Sequence, residues 1–215
     1  MKRLLSIDNP IMRFIIKIFD CMILSVLWLV FSLPVITMGA ATAALYSAVY
    51  HHIIRDESYL WKSFWNAFKE DFKRATLSWL PLLAMVLFLL YDLMALRMLI
   101  HQGHPLGRMF GIILMLLFVA GVWEVYLAAY TARFQGGVKD MLRYSFYLMM
   151  AHPLLSLGVM VALVGAAFFI LMVPGLAAML PAVAMWLSSS LVEQAFRKHM
   201  RPEDLEKTKE EEKKS

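Results

Sequence analysis

Apolar runs long enough to cross a bilayer recur along almost the whole of this 215-residue chain. A helix needs about 20 residues to cross a hydrocarbon core of about 30 Å. Stretches of that kind are read at about 14–33, 36–54, 76–97, 108–131, 153–173 and 175–195. The chain is 61% hydrophobic and only 17% charged, whereas soluble domains run near a quarter charged. The expected fold class is therefore all-α, a polytopic membrane helix bundle over residues 1–197 with a charged tail at 198–215 and no separate soluble domain. The opening "MKRLLSIDNPIMRFIIK" has the flavour of a signal peptide, but its basic part is long and many apolar segments follow, so an uncleaved first span is expected.

The second stretch, "ITMGAATAALYSAVYHHII", is less apolar than the rest and has to be tested. Basic residues of membrane proteins collect on cytoplasmic loops. With six spans and the N-terminus inside, and the tail left out, twelve Lys and Arg fall inside and two, Arg97 and Arg108, outside. Without the second span the same residues divide six against eight. Charge asymmetry thus selects six spans with both termini cytoplasmic. It also accounts for the net charge of +5 without nucleic acid as a partner.

Between the second and third spans lies "SFWNAFKEDFKRA". Trp61, Phe64, Trp65, Phe68, Phe72 and Ala75 recur at steps of three and four, the period of one helix face. Lys62, Asn66, Lys69, Glu70, Lys73 and Arg74 occupy the other. An aromatic stripe opposite a basic-rich face predicts an amphipathic helix lying in the plane of the cytoplasmic interface, capped by Asp56 or Ser58. After Gly136-Gly137 a second stripe, Val138, Met141, Leu142, Ser145, Leu148 and Met149, faces away from Lys139, Asp140 and Arg143. The order span, amphipathic helix, span therefore occurs twice, as an internal duplication would give.

No enzyme motif is present: no P-loop, G-x-S-x-G, C-x-x-C or H-E-x-x-H. The chain is expected to be no enzyme and to use no cofactor or metal. His51-His52 and the pair His101 and His104 lack the further ligands that a metal needs. Cys21 alone forms no internal disulfide. Ionisable groups inside spans are costly and mark sites by default. Asp20 follows Lys17 by three residues and is expected to pair with it. Asp92 lies toward the outer end of span three, near Arg97. Glu124 lies well inside span four and calls for a partner: Lys17, or a span-two hydroxyl such as Tyr46 or Tyr50. Asp92 and Glu124 sit at opposite depths, which argues against one midplane transport site. Small residues at steps of four, Gly39, Ala43 and Ser47, then Ala40, Ala44 and Ala48, make span two the expected central helix. The tryptophans at 28, 79, 123 and 186 are read as core or interface anchors.

Two blocks, "WLVFSLPVITMGAATAALY" and "RDESYLWKSFWNAFKEDFKRATLSWL", resemble the YesL-like family of bacterial integral membrane proteins, a domain of unknown function. The family pattern appears as Trp28, Ser32, Leu33, Pro34, Thr37, Gly39, Thr42, Ala44, Leu45 and Tyr46, then Phe64, Phe68, Lys69, Phe72, Lys73 and Ala75. Asp71 stands where that pattern has Asn. The resemblance covers about residues 20–80; beyond them only the layout agrees. It implies an association with carbohydrate uptake, since family members are often encoded beside ABC sugar permeases and sensor kinases. The function expected is a non-enzymatic accessory or regulatory component of the bacterial cell membrane. Its partners would be the lipid bilayer and such a permease or kinase. The alternative is a small transporter or channel with Glu124 on its path.

Overall fold

The computed structural model describes residues 10–54, 60–101, 107, 109–134 and 136–199, all helical or in short connections, with no strand among them. Helix α1, Pro10–Ser32, is followed by a 3₁₀ turn at Val35–Thr37 and by α2, Met38–Ala48, which ends in a π-helical turn, Val49–Ile54. Then come α3, Leu60–His101, α4, Phe110–Arg133, α5, Val138–Ala151, and α6, Pro153–Met172. A 3₁₀ turn at Pro174–Ala178 leads into α7, Leu180–His199. The proposed cap at Asp56 or Ser58, His104 and the tail from 200 onward lie outside the described residues.

Four helices are long and apolar enough to cross a membrane: α1 over Ile15–Ser32, and α3, α4 and α6. The expected spans 36–54 and 175–195 fall short of that standard, and packing gives the reason. In α2, every residue from Gly39 to Tyr46, and Ala48, is buried. A helix wrapped by its neighbours need not be apolar enough to face lipid, so α2 is short, small and central. The approach is closest at Gly39, where a Cβ would lie 2.3 Å from Trp79 Cβ and 3.2 Å from the Ala75 carbonyl oxygen. Only glycine fits there. Helix α7 instead buries a mixed face of Ala182, Met185, Ser188, Ser189, Val192, Glu193 and Phe196. Its first turn is held from α1: Ser25 Oγ donates to the Met179 carbonyl (2.9 Å) and accepts from the Ala182 N–H (3.0 Å).

The in-plane helix expected before span three is not a separate element. Residues 60–75 and the span form one helix of 42 residues, about 63 Å at 1.5 Å per residue, roughly twice the hydrocarbon thickness. No breaker stands at the junction "KRATLSW", and Pro81 is accommodated within the helix. The middle of the aromatic stripe is clamped by protein. Phe31 of α1 stacks among Phe64, Trp65 and Phe68 at ring-centroid distances of 5.8, 5.5 and 4.8 Å, and Phe64 is 1% exposed. Trp61 and Phe72 remain exposed.

The second amphipathic stretch does form its own helix. In α5, Met141, Ser145, Leu148 and Met149 are buried, and Lys139, Asp140 and Arg143 are exposed, as the stripe predicts. It is pinned to α4 where Trp123 Nε1–H donates to Ser145 Oγ at 3.0 Å. The break before α6 falls at His152 (φ −126°, ψ 68°), the residue before Pro153, where proline disfavours helical geometry.

Candidate functional site: a polar cleft and two buried glutamates

Helices α2 and α4 both run antiparallel to α3, so the ends of α2 and α4 meet the first half of α3. There they enclose a cleft of about 430 Å³. Its walls are Ser47 and His51 from α2, Lys62, Ser63, Asn66, Glu70, Asp71 and Arg74 from α3, and Thr131 to Phe134 at the end of α4. The charged face of the amphipathic stretch therefore lines an indentation in the bundle as well as its outer surface. Asp71, only 9% exposed, is ion-paired with Arg74 one turn on. Burial raises the Asp71 pKa above the usual carboxylate value, and the Arg74 guanidinium opposes that shift.

Behind the α4 wall sits a second ion pair. Arg133 Nη1 donates to Glu193 Oε1 of α7 at 2.7 Å and also bonds Oε2. Tyr46 O–H donates to Glu193 Oε1 at 2.8 Å. The Arg133 guanidinium lies over the Tyr50 ring, 4.9 Å from its centroid, with the Phe196 ring at 5.8 Å. Three helices, α2, α4 and α7, thus converge on one carboxylate that is 7% exposed. The sequence pattern assigned neither Arg133 nor Glu193 to a site. The signal available was periodicity: Glu193 follows Ser189 by four residues on the face that also carries Val192 and Phe196.

Glu124 is satisfied differently. The Thr42 hydroxyl lies 3.1 Å from Glu124 Oε1 and 2.8 Å from the Met38 carbonyl oxygen, two acceptors that share its one hydrogen, and it accepts from Trp28 Nε1–H at 3.1 Å. A partner on α2 was expected, but it is Thr42, one turn before Tyr46. Tyr46 and Tyr50 belong to the Glu193 group instead. The space beside Glu124, lined also by Gly39, Ser78 and Trp79, is about 10 Å³, no more than one water fills. Asp92 lies 13 residues beyond Trp79 on α3, about 20 Å along the axis, so the two acidic groups do not converge.

The residues of the two sequence blocks come together around this seam. Thr37 Oγ1 closes the α1–α2 connection onto the Phe31 and Pro34 carbonyls at 2.7 and 2.8 Å. Trp28 reaches Thr42, Gly39 admits Trp79, and Trp79 Nε1–H donates to the Val35 carbonyl at 2.9 Å. Ala44 is fully packed, and Ser32 carries a buried hydroxyl without a partner among the described residues. Lys69 Nζ rests 4.7 Å above the Trp65 ring, and Lys73 is exposed. Residues 21–93 match the family DUF624. Its description is a protein of unknown function, and it is the YesL-like family already read from these residues. The DUF624 match covers about a third of the chain: the second half of α1, all of α2 and the greater part of α3. It holds the hydroxyl that meets Glu124, the indole that meets that hydroxyl, and the two tyrosines that meet Arg133 and Glu193, but none of those three charged residues. No curated protein and no solved structure matches the chain.

Proposed function

We propose that this protein is a multi-pass component of the bacterial cell membrane, with six spans and both termini cytoplasmic. It acts without catalysis as an accessory or regulatory subunit for carbohydrate uptake or its sensing. The observation that carries the reading is the first half of α3. One face is clamped into the bundle through Phe64 and Phe31, while Lys62, Asn66, Lys69, Glu70 and Lys73 are exposed on the other. A charged helix face held rigidly outside the apolar length of the same helix is suited to docking, because little side-chain and backbone freedom is lost on contact. The family resemblance supports the choice of partner, an ABC sugar permease or a sensor kinase.

The test is a gentle-detergent purification of the tagged protein from its host, with co-purifying proteins identified by mass spectrometry. Lys69→Glu with Lys73→Glu is the informative variant, since both side chains are exposed and neither is in an ion pair of the core. A permease or kinase carried by the wild type and lost with the variant is the expected result. Wild type and variant emerging alike, without such a partner, would overturn docking through this face. The transporter reading is the weaker one, because the space at Glu124 is the size of a single water.

A further inference from the structure

Two arginine–carboxylate pairs stand on or behind opposite walls of the same cleft: the partly exposed Asp71–Arg74 on α3 and the buried Arg133–Glu193 joining α4 to α7. Neither kind of pair is a strong device for stability: water screens the exposed one, and in the buried one the desolvation of two charges offsets most of their attraction. Stability therefore does not explain why both arginines open on one hollow. Each also keeps donating capacity. Of the five N–H groups of Arg133, Nη1 serves Glu193 and one Nη2 hydrogen reaches Tyr50 Oη at 3.4 Å, leaving Nε–H and another Nη2 hydrogen. Arg74 uses only Nη2 toward Asp71.

Charge decides what class of ligand this suits. Among the described residues the lining carries Lys62, Arg74 and Arg133 against Glu70 and Asp71, with His51 at one side and Glu193 neutralising Arg133 from behind the wall. With Glu193 counted, the hollow presents little net field to draw in an anion, and an added phosphate would face the Glu70 and Asp71 carboxylates. What it does present is donors and acceptors side by side: guanidinium beside carboxylate, the Asn66 amide, and the hydroxyls of Ser47 and Ser63, with the Phe134 ring at one edge. Hydroxyl groups that both donate and accept fit such a surface, and a volume of about 430 Å³ lies within the usual range for small-molecule pockets.

We infer that the cleft between α2, α3 and the end of α4 binds a neutral polyhydroxylated solute of mono- to disaccharide size, with Arg74, Asp71 and Asn66 among its direct contacts. The inference names a ligand class for the protein assigned above, yet it rests on the cleft's own charge balance and stands or falls apart from docking.

The experiment is calorimetric titration of the full-length protein in detergent with glucose, maltose and myo-inositol, and with inorganic phosphate as the charged control. Saturable binding of at least one polyol and none of phosphate is expected. Asn66→Ala, an exposed position whose loss leaves the core intact, should weaken that binding about ten-fold. Arg74→Gln combined with Asp71→Asn, which keeps shape and neutralises the pair together, should weaken it further. No heat with any of the three polyols, phosphate binding in their place, or polyol binding indifferent to Asn66→Ala would each overturn the inference. The Lys69→Glu and Lys73→Glu variant keeps its polyol binding if the site is the cleft, so a failed pull-down leaves this result separately readable.

Discussion

Glu124 and Glu193 are both glutamates within the helical bundle, and the protein treats them in opposite ways. Glu193 meets a phenol and a guanidinium that itself lies against two aromatic rings; Glu124 meets one hydroxyl already shared with an indole and a carbonyl. The first is an ion pair tying α7 to α4 and α2. The second sits in a hydrogen-bond cluster of uncharged groups at the closest approach of α2. A carboxylate is held by compensating charge only where a long cation from another helix reaches it, and Arg133 at the last turn of α4 reaches Glu193. The difference teaches that equal residue type does not give equal dependence on the fold.

That contrast can be broken most severely at Arg133. Arg133→Gln leaves Glu193 buried without its cation, and denaturation in detergent should show a loss of about 3–5 kcal/mol. The double change Arg133→Met with Glu193→Leu should recover most of that loss, because it removes both charges together. A double variant as unstable as the single one would show that the pair matters for more than its charges. A smaller effect is expected at the other glutamate's support. Thr42→Val strips the acceptor from Trp28 Nε1–H and the donor from Glu124, and should cost about 1–3 kcal/mol by the same measurement. Gly39→Ala probes the same seam sterically. With Trp79 Cβ in the way, α2 must shift, at about 1–3 kcal/mol, and the Trp28–Thr42 contact should loosen, seen as altered tryptophan emission. The smallest change is Glu124→Gln. An amide keeps an acceptor for Thr42, so less than about 1 kcal/mol should be lost. A loss matching that of Arg133→Gln would mean that Glu124 has a charged partner and that the contrast is false.

The two amphipathic stretches carry the same lesson about what can be read from a chain. Both stripes were legible, and for 138–151 so was the element: Gly136-Gly137 opens it and Pro153 ends it. For 60–75 the face was right and the element was not, since nothing between Arg74 and Trp79 stops a helix and α3 simply continues. Proline alone is no guide, because Pro153 marks a break while Pro81 lies inside α3. Around Pro81, Trp79 and Leu82 are buried against α2 and α4, and that packing holds the helix together across the missing hydrogen bond. The candidate site was half legible for a related reason. Lys62, Asn66, Glu70 and Arg74 share a face by spacing alone, but the cleft they line exists only because the ends of α2 and α4 stand opposite.

What the sequence by itself determined is the helical class, the small-residue centre at Gly39–Ala48 and the two amphipathic faces. Each follows from local composition and a 3.6-residue period. What only the tertiary structure decided is which polar groups meet: Thr42 rather than Tyr46 at Glu124, and Tyr46, Tyr50 and Arg133 around Glu193. Those partners lie between 60 and 147 residues apart, or one helical turn from a plausible alternative. Their choice depends on the rotation and offset of packed helices, which a periodic pattern leaves free.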